Sequence, residues 1–270
     1  MTLTVKGLLD EVTVRHGPQQ LIARFLIAAN REMRARGISL RLKRNLDELI
    51  AFNQRNQQHW YRLAPLFDPV FNEIPEDEAY WIAGHDHSGD IVAVHAARFF
   101  DWTGTDLGAE FASLRLWYNE PERWRRPGEI CTITSPAAEI VTGRCAYLGS
   151  MWFRPDFRGR GLSRLLPRIN RTVALARWGI DFNFSFIEPF VVTTGLIEQY
   201  GFSRHSPGVA FRNGPKGDMD MHVMWMPRGE LVADLSDWMS YEADGVVRIT
   251  EKPDTSRSPA LPRHGSTRRS

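Results

Sequence analysis

The most informative segment of the sequence is Trp152-Phe153-Arg154-Pro155-Asp156-Phe157-Arg158-Gly159-Arg160-Gly161-Leu162-Ser163. Residues 147–153 before the turn favour a strand, and residues 162–177 after it carry apolar side chains at helical spacing. The first N–H groups of a helix have no partner inside it, and the helix dipole adds positive potential there. A strand, a tight glycine turn and a helix start together predict an anion site.

The turn favours a diphosphate over other anions. Gly159 and Gly161 lack the Cβ atoms that would intrude on such a group, and Arg158 and Arg160 offer charge-assisted contacts. A Walker loop, Gly-x-x-x-x-Gly-Lys-Ser/Thr, does not occur in the sequence. A dinucleotide fingerprint needs a third glycine at the position of Arg164.

The helix after the turn has two distinct faces. Its apolar positions predict packing on a sheet, and they are Leu162, Leu165, Leu166, Ile169, Val173 and Ala176. Arg164, Arg168 and Arg171 form a basic stripe that we expect to be solvated. Pro167 lies inside the pattern and removes one helical hydrogen bond, so we expect a kink or a late helix start.

The segment resembles the acyl-CoA-binding motif of the GNAT superfamily of N-acyltransferases, usually written Arg/Gln-x-x-Gly-x-Gly/Ala. Arg158, Gly161 and Ser163 stand at its three defined positions, with serine in place of glycine or alanine. The run from Ile197 to Phe202 is similar to the family's Tyr-x-x-x-Gly-Phe ending, with isoleucine in place of tyrosine. The resemblance covers residues 38–226 in element order, and its motifs span residues 147–202.

The resemblance implies a cosubstrate and a reaction. Acetyl-CoA or another acyl-CoA places its diphosphate on the loop, its pantetheine pairs with backbone groups of Phe153 and Arg154, and an amine attacks the thioester directly. The expected cofactor-binding residues are Phe153, Arg154, Arg158, Gly159, Arg160, Gly161, Leu162 and Ser163. Arg164 is a further candidate for the adenosine phosphate of CoA. No metal is expected.

The catalytic residues are less well marked. The family's proton-donating tyrosine is replaced by Ile197, and Tyr147 and Tyr118 are alternatives without positional support. For the general base we predict Glu188, because it follows an alternating strand over residues 181–186 and precedes a proline. Glu139 is the second candidate. A solvated carboxylate is the alternative for both.

The histidines and cysteines suggest no further chemistry. His85 and His87 flank Asp86 in a predicted hairpin turn, where solvated surface is favoured over a metal site. The two cysteines, Cys131 and Cys145, are expected to be reduced thiols.

The order of elements predicts an α/β (α+β) fold with a mixed, mostly antiparallel central sheet flanked by helices. Residues 1–37 form an N-terminal helical extension, residues 38–240 the GNAT-like domain and residues 241–270 a disordered tail. Residues 101–145 are a candidate acceptor-side insertion whose aromatic residues either line a pocket or belong to the core. The predicted strands cover residues 38–42, 80–83, 91–96, 147–153, 181–186 and 219–225, and the predicted helices begin near residues 19, 45, 162, 193 and 231.

Charge and composition exclude some classes of function. The chain has 34 Lys and Arg against 32 Asp and Glu, and the last twenty residues hold five of those cations and two of the anions. The remaining 29 cations and 30 anions give a body of net charge −1, so nucleic-acid binding is disfavoured. No run of about 18 apolar residues occurs, and the first residues do not resemble a signal peptide, so a cytoplasmic location without membrane contact is expected.

The sequence is compatible with two alternative functions. One is an N-acyltransferase that moves an acetyl or longer acyl group from acyl-CoA to a primary amine. The other is a catalytically weak or inactive CoA-binding sensor or interaction module with the same fold, which the substitution at Ile197 favours. The acceptor's identity stays open, and so does a homodimer.

Overall fold

The computed structural model describes residues 6–243, except the side chains of residues 242 and 243. Eight strands are present in it: β1 (Ser39–Lys43), β2 (Ala79–His85), β3 (Ile91–Asp106), β4 (Ile130–Ile133), β5 (Thr142–Phe153), β6 (Phe182–Ile187), β7 (Arg204–Gly214) and β8 (Gly217–Pro227). The helices are α1 (Leu8–Glu11), α2 (Gln19–Ala35), α3 (Leu46–Arg55), α4 (Leu107–Ala112), α5 (Pro121–Trp124), α6 (Ala137–Ile140), α7 (Leu162–Trp178), α8 (Pro189–Thr193), α9 (Leu196–Tyr200) and α10 (Arg228–Ala243).

The strands form one sheet in the order β1-β2-β3-β5-β6-β8-β7-β4. Within the described residues, β5 and β6 are the single parallel pair and every other neighbouring pair is antiparallel. The parallel pair needs a crossover, and α7 provides it. The predicted mixed, mostly antiparallel sheet flanked by helices is confirmed.

One face of the sheet is covered by α2, α7 and α10. The apolar stripe of α2 is fully buried at Ile22, Phe25 and Met33, and α2 packs against α7. Pro18 precedes the helix, and Gly37 follows it at φ +75°. The helix predicted over the N-terminal extension is therefore present. It is part of the core and not a separate appendage.

The opposite face carries a second core that is rich in aromatic side chains. Much of it comes from the segment between β3 and β5, where Trp102, Phe111, Trp117 and Tyr118 are all buried. Of the two alternatives for the aromatic residues of 101–145, the structure shows core packing for these four. The segment also adds β4 to the edge of the sheet beside β7.

Three local predictions are wrong. The helix predicted over residues 193–200 is divided into α8 and α9, because Gly195 adopts φ +68° between them. Of the two alternatives predicted for Pro167, a kink or a late helix start, the late start does not occur, since α7 begins at Leu162 and continues through Pro167. Strands β4 and β7 were not predicted, and the Pro207-Gly208 pair with its register shift interrupts the alternation of β7.

The last helix also changes a predicted boundary. It extends to Ala243, so residues 241–243 are helical. The rest of the tail predicted over residues 241–270 lies outside the described residues.

Candidate active site

The loop between β5 and α7 presents a row of backbone donors. Gly159 has φ +73° and Gly161 has φ +71°, so the chain turns through the left-handed region twice within three residues. Within residues 6–243, the backbone N–H groups of residues 159–163 donate to no protein acceptor, whereas the N–H of Arg164 donates to the carbonyl of Gly161 at 3.2 Å. Five consecutive N–H groups without a protein acceptor at the amino end of a 17-residue helix are an arrangement that suits an anion.

The two glycines are required by backbone conformation and not by crowding within the protein. A Cβ atom built on Gly159 or Gly161 would meet no protein atom within 4 Å. The positive φ angles alone disfavour other residues there. The space above both glycines is therefore open, as an approaching diphosphate requires.

The arginines of the loop lie at its rim. Arg158 donates from Nε to the carbonyl of Phe153 at 3.2 Å and from Nη2 to the carbonyl of His59 at 3.4 Å. Arg160 donates to the carbonyl of Asp156, and its guanidinium lies 4.1 Å from the centroid of the Phe157 ring. Both side chains are exposed, so they can contact a bound anion without the free-energy cost of burying a charged group.

Ser163 and Arg154 are engaged with other parts of the protein. The Ser163 hydroxyl donates to Oε1 of Gln199 on α9 at 2.6 Å. The Arg154 guanidinium binds Asp156 and Asp86, and its backbone N–H donates to the carbonyl of Val92. Leu162 is buried under the loop. Their predicted roles toward acyl-CoA remain predictions.

The loop lies at the end of a cleft between the two parallel strands. Pairing of β5 with β6 ends at Tyr147 and Phe184, yet β5 continues to Phe153 and β6 to Ile187. One edge of β5 from residue 148 to 153 therefore has no strand partner within the described residues. Such an edge can pair with an extended ligand through its backbone. A bulge at Ser150, which has φ +55°, bends β5 at this point.

Tyr147 lies at the last paired position of β5, where β5 and β6 begin to separate. Its ring lies so close to Gly149 that a Cβ there would come within 2.4 Å of the ring. Burial raises the pKa of Tyr147 to about 12, although the hydroxyl bonds with Ser185 and with the backbone of Phe186. It is thus a neutral phenol at physiological pH and, of the two tyrosines considered as proton donors, the one beside the cleft.

Tyr118 is held away from this chemistry. Its hydroxyl donates to the buried carboxylate of Glu129 at 3.0 Å, and burial followed by the charge of Glu129 raises its pKa. Ile197 packs in a small apolar cluster with Ile187, Val191 and Met224. Neither position supplies a proton to the cleft.

Glu188 directly follows β6 and precedes α8. Alternation along β6 places Phe184 and Phe186 in the aromatic core, and the extended backbone of Glu188 continues that alternation. The residue is partly exposed. Electrostatic contact links its carboxylate to Tyr61 and to Lys216, and the Lys216 ammonium lies 5.2 Å from the centroid of the Tyr61 ring.

The partners of Glu188 could not be found from the sequence. Tyr61 lies in the connection after α3, and Lys216 lies in the turn between β7 and β8. Burial lowers the pKa of Lys216, and the charge of Glu188 opposes that shift. The second candidate base, Glu139, is exposed on α6.

Two predictions about charged side chains are wrong. Arg171 is not solvated but fully buried, and burial lowers its pKa to about 10. Arg168 and Arg171 both bind the carboxylate of Asp234 on α10. His85 is not solvated surface either, because 5% of it is exposed and burial lowers its pKa.

The described residues contain no group of three or more His, Cys, Asp or Glu side chains that could hold a metal ion. Cys131 and Cys145 are free thiols in the core. No helix within residues 6–243 is both long and apolar enough to cross a bilayer.

Comparisons with known proteins give structural likeness only. No protein-family profile matches the chain, and no curated protein matches its sequence. Among solved structures, Arabidopsis thaliana NAA60 in complex with acetyl-CoA is 13% identical, with 71% of this chain and 99% of that chain covered and a TM-score of 0.41.

Two further matches have similar values. FeeM, an N-acyl amino acid synthase from uncultured soil microbes, is 12% identical over 74% of this chain and 97% of its own, with a TM-score of 0.41. The GNAT domain of S. lividans PAT is 13% identical over 69% and 90%, with a TM-score of 0.35. Likeness at this level carries no functional inference, so the function is inferred from the site itself.

Proposed function

We propose that the protein transfers an acyl group from an acyl-CoA to the nitrogen of a primary amine. The observation that supports this most is the row of free N–H groups at residues 159–163, beside a cleft with an unpaired strand edge. A diphosphate needs the first feature, and an extended amide-containing arm needs the second. A ligand with both parts, in this order, matches CoA.

In this proposal the acyl thioester lies in the cleft between β5 and β6. The amine nitrogen forms a bond to the acyl carbon, the carbon–sulfur bond breaks, and the thiolate of CoA leaves. Holding the two reactants in line supplies most of the rate, since orientation alone is worth several powers of ten. The chain's backbone provides this by fixing the diphosphate at one end and the pantetheine along β5.

Glu188 accepts the proton that the amine loses, directly or through one water molecule. The leaving thiolate takes a proton from Tyr147 or from solvent. Lys216 and Tyr61 lie on the acceptor side of Glu188 and contact the incoming amine-bearing molecule. The acceptor itself is defined only as a primary amine.

The second candidate function is a CoA-binding module without turnover. Ile197 favours this alternative, because it is a buried apolar residue at the position where the family motif has a tyrosine. The two candidates agree on CoA binding and differ in catalysis.

Gly161→Glu tests the shared claim. The new carboxylate would face the diphosphate, so we expect binding of CoA and acetyl-CoA, measured by calorimetric titration, to be lost. Gly217→Glu is the control, because Gly217 also has a positive φ (+81°) and no protein atom within 4 Å of an added Cβ. Unchanged CoA affinity in Gly161→Glu would show that the loop is assigned wrongly. Thiol release with a panel of amines then separates the enzyme from the sensor.

A further inference from the structure

A second group of arginines lies at the opposite end of α7 from the glycine loop. A cavity of about 100 Å³ is lined there by Arg15, Arg44 and Arg177. An adjoining cavity of about 250 Å³ shares Arg15 and Arg177 and adds Arg144. We call the two cavities together the arginine groove. It lies roughly 25 Å from the glycine loop, because α7 rises about 1.5 Å per residue.

The cations of the arginine groove are incompletely neutralised by the protein. Three acidic residues line it as well: Glu11 in the smaller cavity, and Asp77 and Glu78 in the larger one. Glu11 lies 3.6 Å from Arg44 and 3.9 Å from Lys6 and is shared between them. Within residues 6–243, neither Arg15 nor Arg177 has a carboxylate within 4 Å. Two guanidinium groups without a carboxylate at ion-pair distance in the described part of the chain thus line the same cavity.

The nearby charges disfavour this arrangement in the absence of an anion. Burial lowers the pKa of Arg177, and the charges of Arg44 and Arg15 lower it further. Asp77 acts in the opposite direction, and Arg177 Nε also donates to the Asp77 carbonyl at 3.3 Å. Arg44 and Arg177 are half-buried whereas Arg15 is exposed, so the repulsion between Arg44 and Arg177 is the one that water screens least.

The carboxyl end of α7 explains only part of the arginine groove. The carbonyl of Trp178 accepts from Arg144, and the carbonyl of Ala176 accepts the backbone N–H groups of Arg15 and His16. These hydrogen bonds satisfy carbonyl groups at the negative end of the helix, and they explain the position of Arg144. The guanidinium groups of Arg15 and Arg177 are not used by that end, and apart from the bond of Arg177 Nε to the Asp77 carbonyl no hydrogen bond of either group is found within residues 6–243.

We propose that the arginine groove binds a compact multivalent oxyanion with phosphoryl oxygens, held by Arg15, Arg44 and Arg177. The guanidinium fork matches phosphate oxygens in pairs, which favours a phosphoryl group over a halide. The two adjoining cavities, about 100 Å³ and about 250 Å³, share Arg15 and Arg177, so two linked phosphoryl groups, as in pyrophosphate, can lie across them. The site is separate from the acyl-CoA loop and does not depend on the proposed function.

The test is calorimetric titration with inorganic pyrophosphate at constant ionic strength, in the wild type and in Gly161→Glu. The Gly161→Glu variant removes the glycine loop as a competing diphosphate site. We expect pyrophosphate to bind Gly161→Glu, and we expect Arg15→Gln and Arg44→Gln, each added to it, to weaken binding about tenfold, as for loss of one charge-assisted contact.

Arg24→Gln is the matched control, because Arg24 is exposed on α2 and lines neither cavity. Circular dichroism and melting curves verify that each variant is folded. Absence of pyrophosphate binding in a folded Gly161→Glu protein would overturn the proposal. Equal affinity in the Arg15→Gln and Arg24→Gln variants would overturn it as well.

Discussion

Glu188, Tyr61 and Lys216 come from three separate segments and meet at the open end of β6. No carboxylate of the described residues lies within ion-pair distance of Lys216, although the charge of Glu188 partly opposes the lowering of the Lys216 pKa by burial. In the proposed reaction an amine-bearing acceptor lies beside these two opposite charges. This makes Glu188 the residue of choice for a test of catalysis.

Glu188→Gln removes the proposed base and keeps the size of the side chain. We expect kcat for amine acylation to fall roughly 100-fold, the lower range for loss of a general base, while CoA affinity stays the same. Steady-state thiol release and calorimetry measure the two quantities. Glu139→Gln is the control and should retain full activity. A Glu188→Gln enzyme with wild-type kcat would exclude this residue as the base.

Helix α7 is tied to its neighbours by a buried ionic cluster. Asp234 of α10 accepts from Arg168 at 3.0 Å and from Arg171 at 2.6 Å, and Arg171 also donates to the carbonyls of Tyr200 and Gly201. Arg168 in addition donates to the carbonyl of Gln199 at 3.1 Å. The cluster therefore fixes α9 and α10 against the helix whose start carries the glycine loop.

Asp234→Asn leaves Arg171 buried without its counter-charge. We expect the free energy of unfolding to fall by about 3–5 kcal/mol, the usual effect of removing one partner of a buried pair. Chemical denaturation measures this. Glu122→Gln, which breaks the exposed Glu122–Arg125 pair, is the control and should change stability by less than about 1 kcal/mol.

The same cluster predicts a pH dependence. Burial acts to raise the pKa of Asp234, but Arg171 and Arg168 outweigh it and hold the pKa below its ordinary value of 3.8. A lowered pKa in the folded state stabilises the protein above the ordinary value and loses that effect as pH falls through the folded value. The stability difference between wild type and Asp234→Asn should be constant at neutral pH and shrink below about pH 4. A difference that grows on acidification would contradict this account.

At the scale of the molecule, segments outside the central strands hold the site in place. Arg36, at the end of α2, donates to the carbonyl of Arg160 in the glycine loop at 3.1 Å. Near Lys216, Arg126 donates to the carbonyl of Gly214, and Asn213 donates to the carbonyl of Gly128. The segment between β3 and β5 thus positions the turn that carries Lys216.

The sheet's layout predicts a gradient of local stability. Strands β3 and β5 lie between other strands and under both cores, whereas β4 has four residues and lies at the edge with Ile130 55% exposed. We expect amide hydrogen exchange to be slowest in β3 and β5 and fastest, among the strands, in β4. Exchange followed by mass spectrometry measures this. Protection of β4 equal to that of β5 would indicate that another surface covers the edge.

Local features determined a large part of this structure from the sequence. The glycine turn, the start of α7, the β2–β3 hairpin and the boundaries of α2 depend on residues within one turn or strand of each other. Gly37, Gly89, Gly159 and Gly161 adopt the positive φ angles that their places in these turns require. The prediction of an anion site rests on the same local features, because a helix start and its glycines are adjacent in the chain.

Only the tertiary structure decided which distant side chains meet. Arg171 was expected in solvent, yet Asp234, far away in sequence, makes its burial possible. No pattern in the sequence predicts the contact between Tyr61 and Lys216, because it depends on how the connection after α3 packs against the turn between β7 and β8. Register, burial and charge pairing arise from the packing of whole elements, so neither the arginine groove nor the surroundings of Glu188 could be read from spacing in the chain.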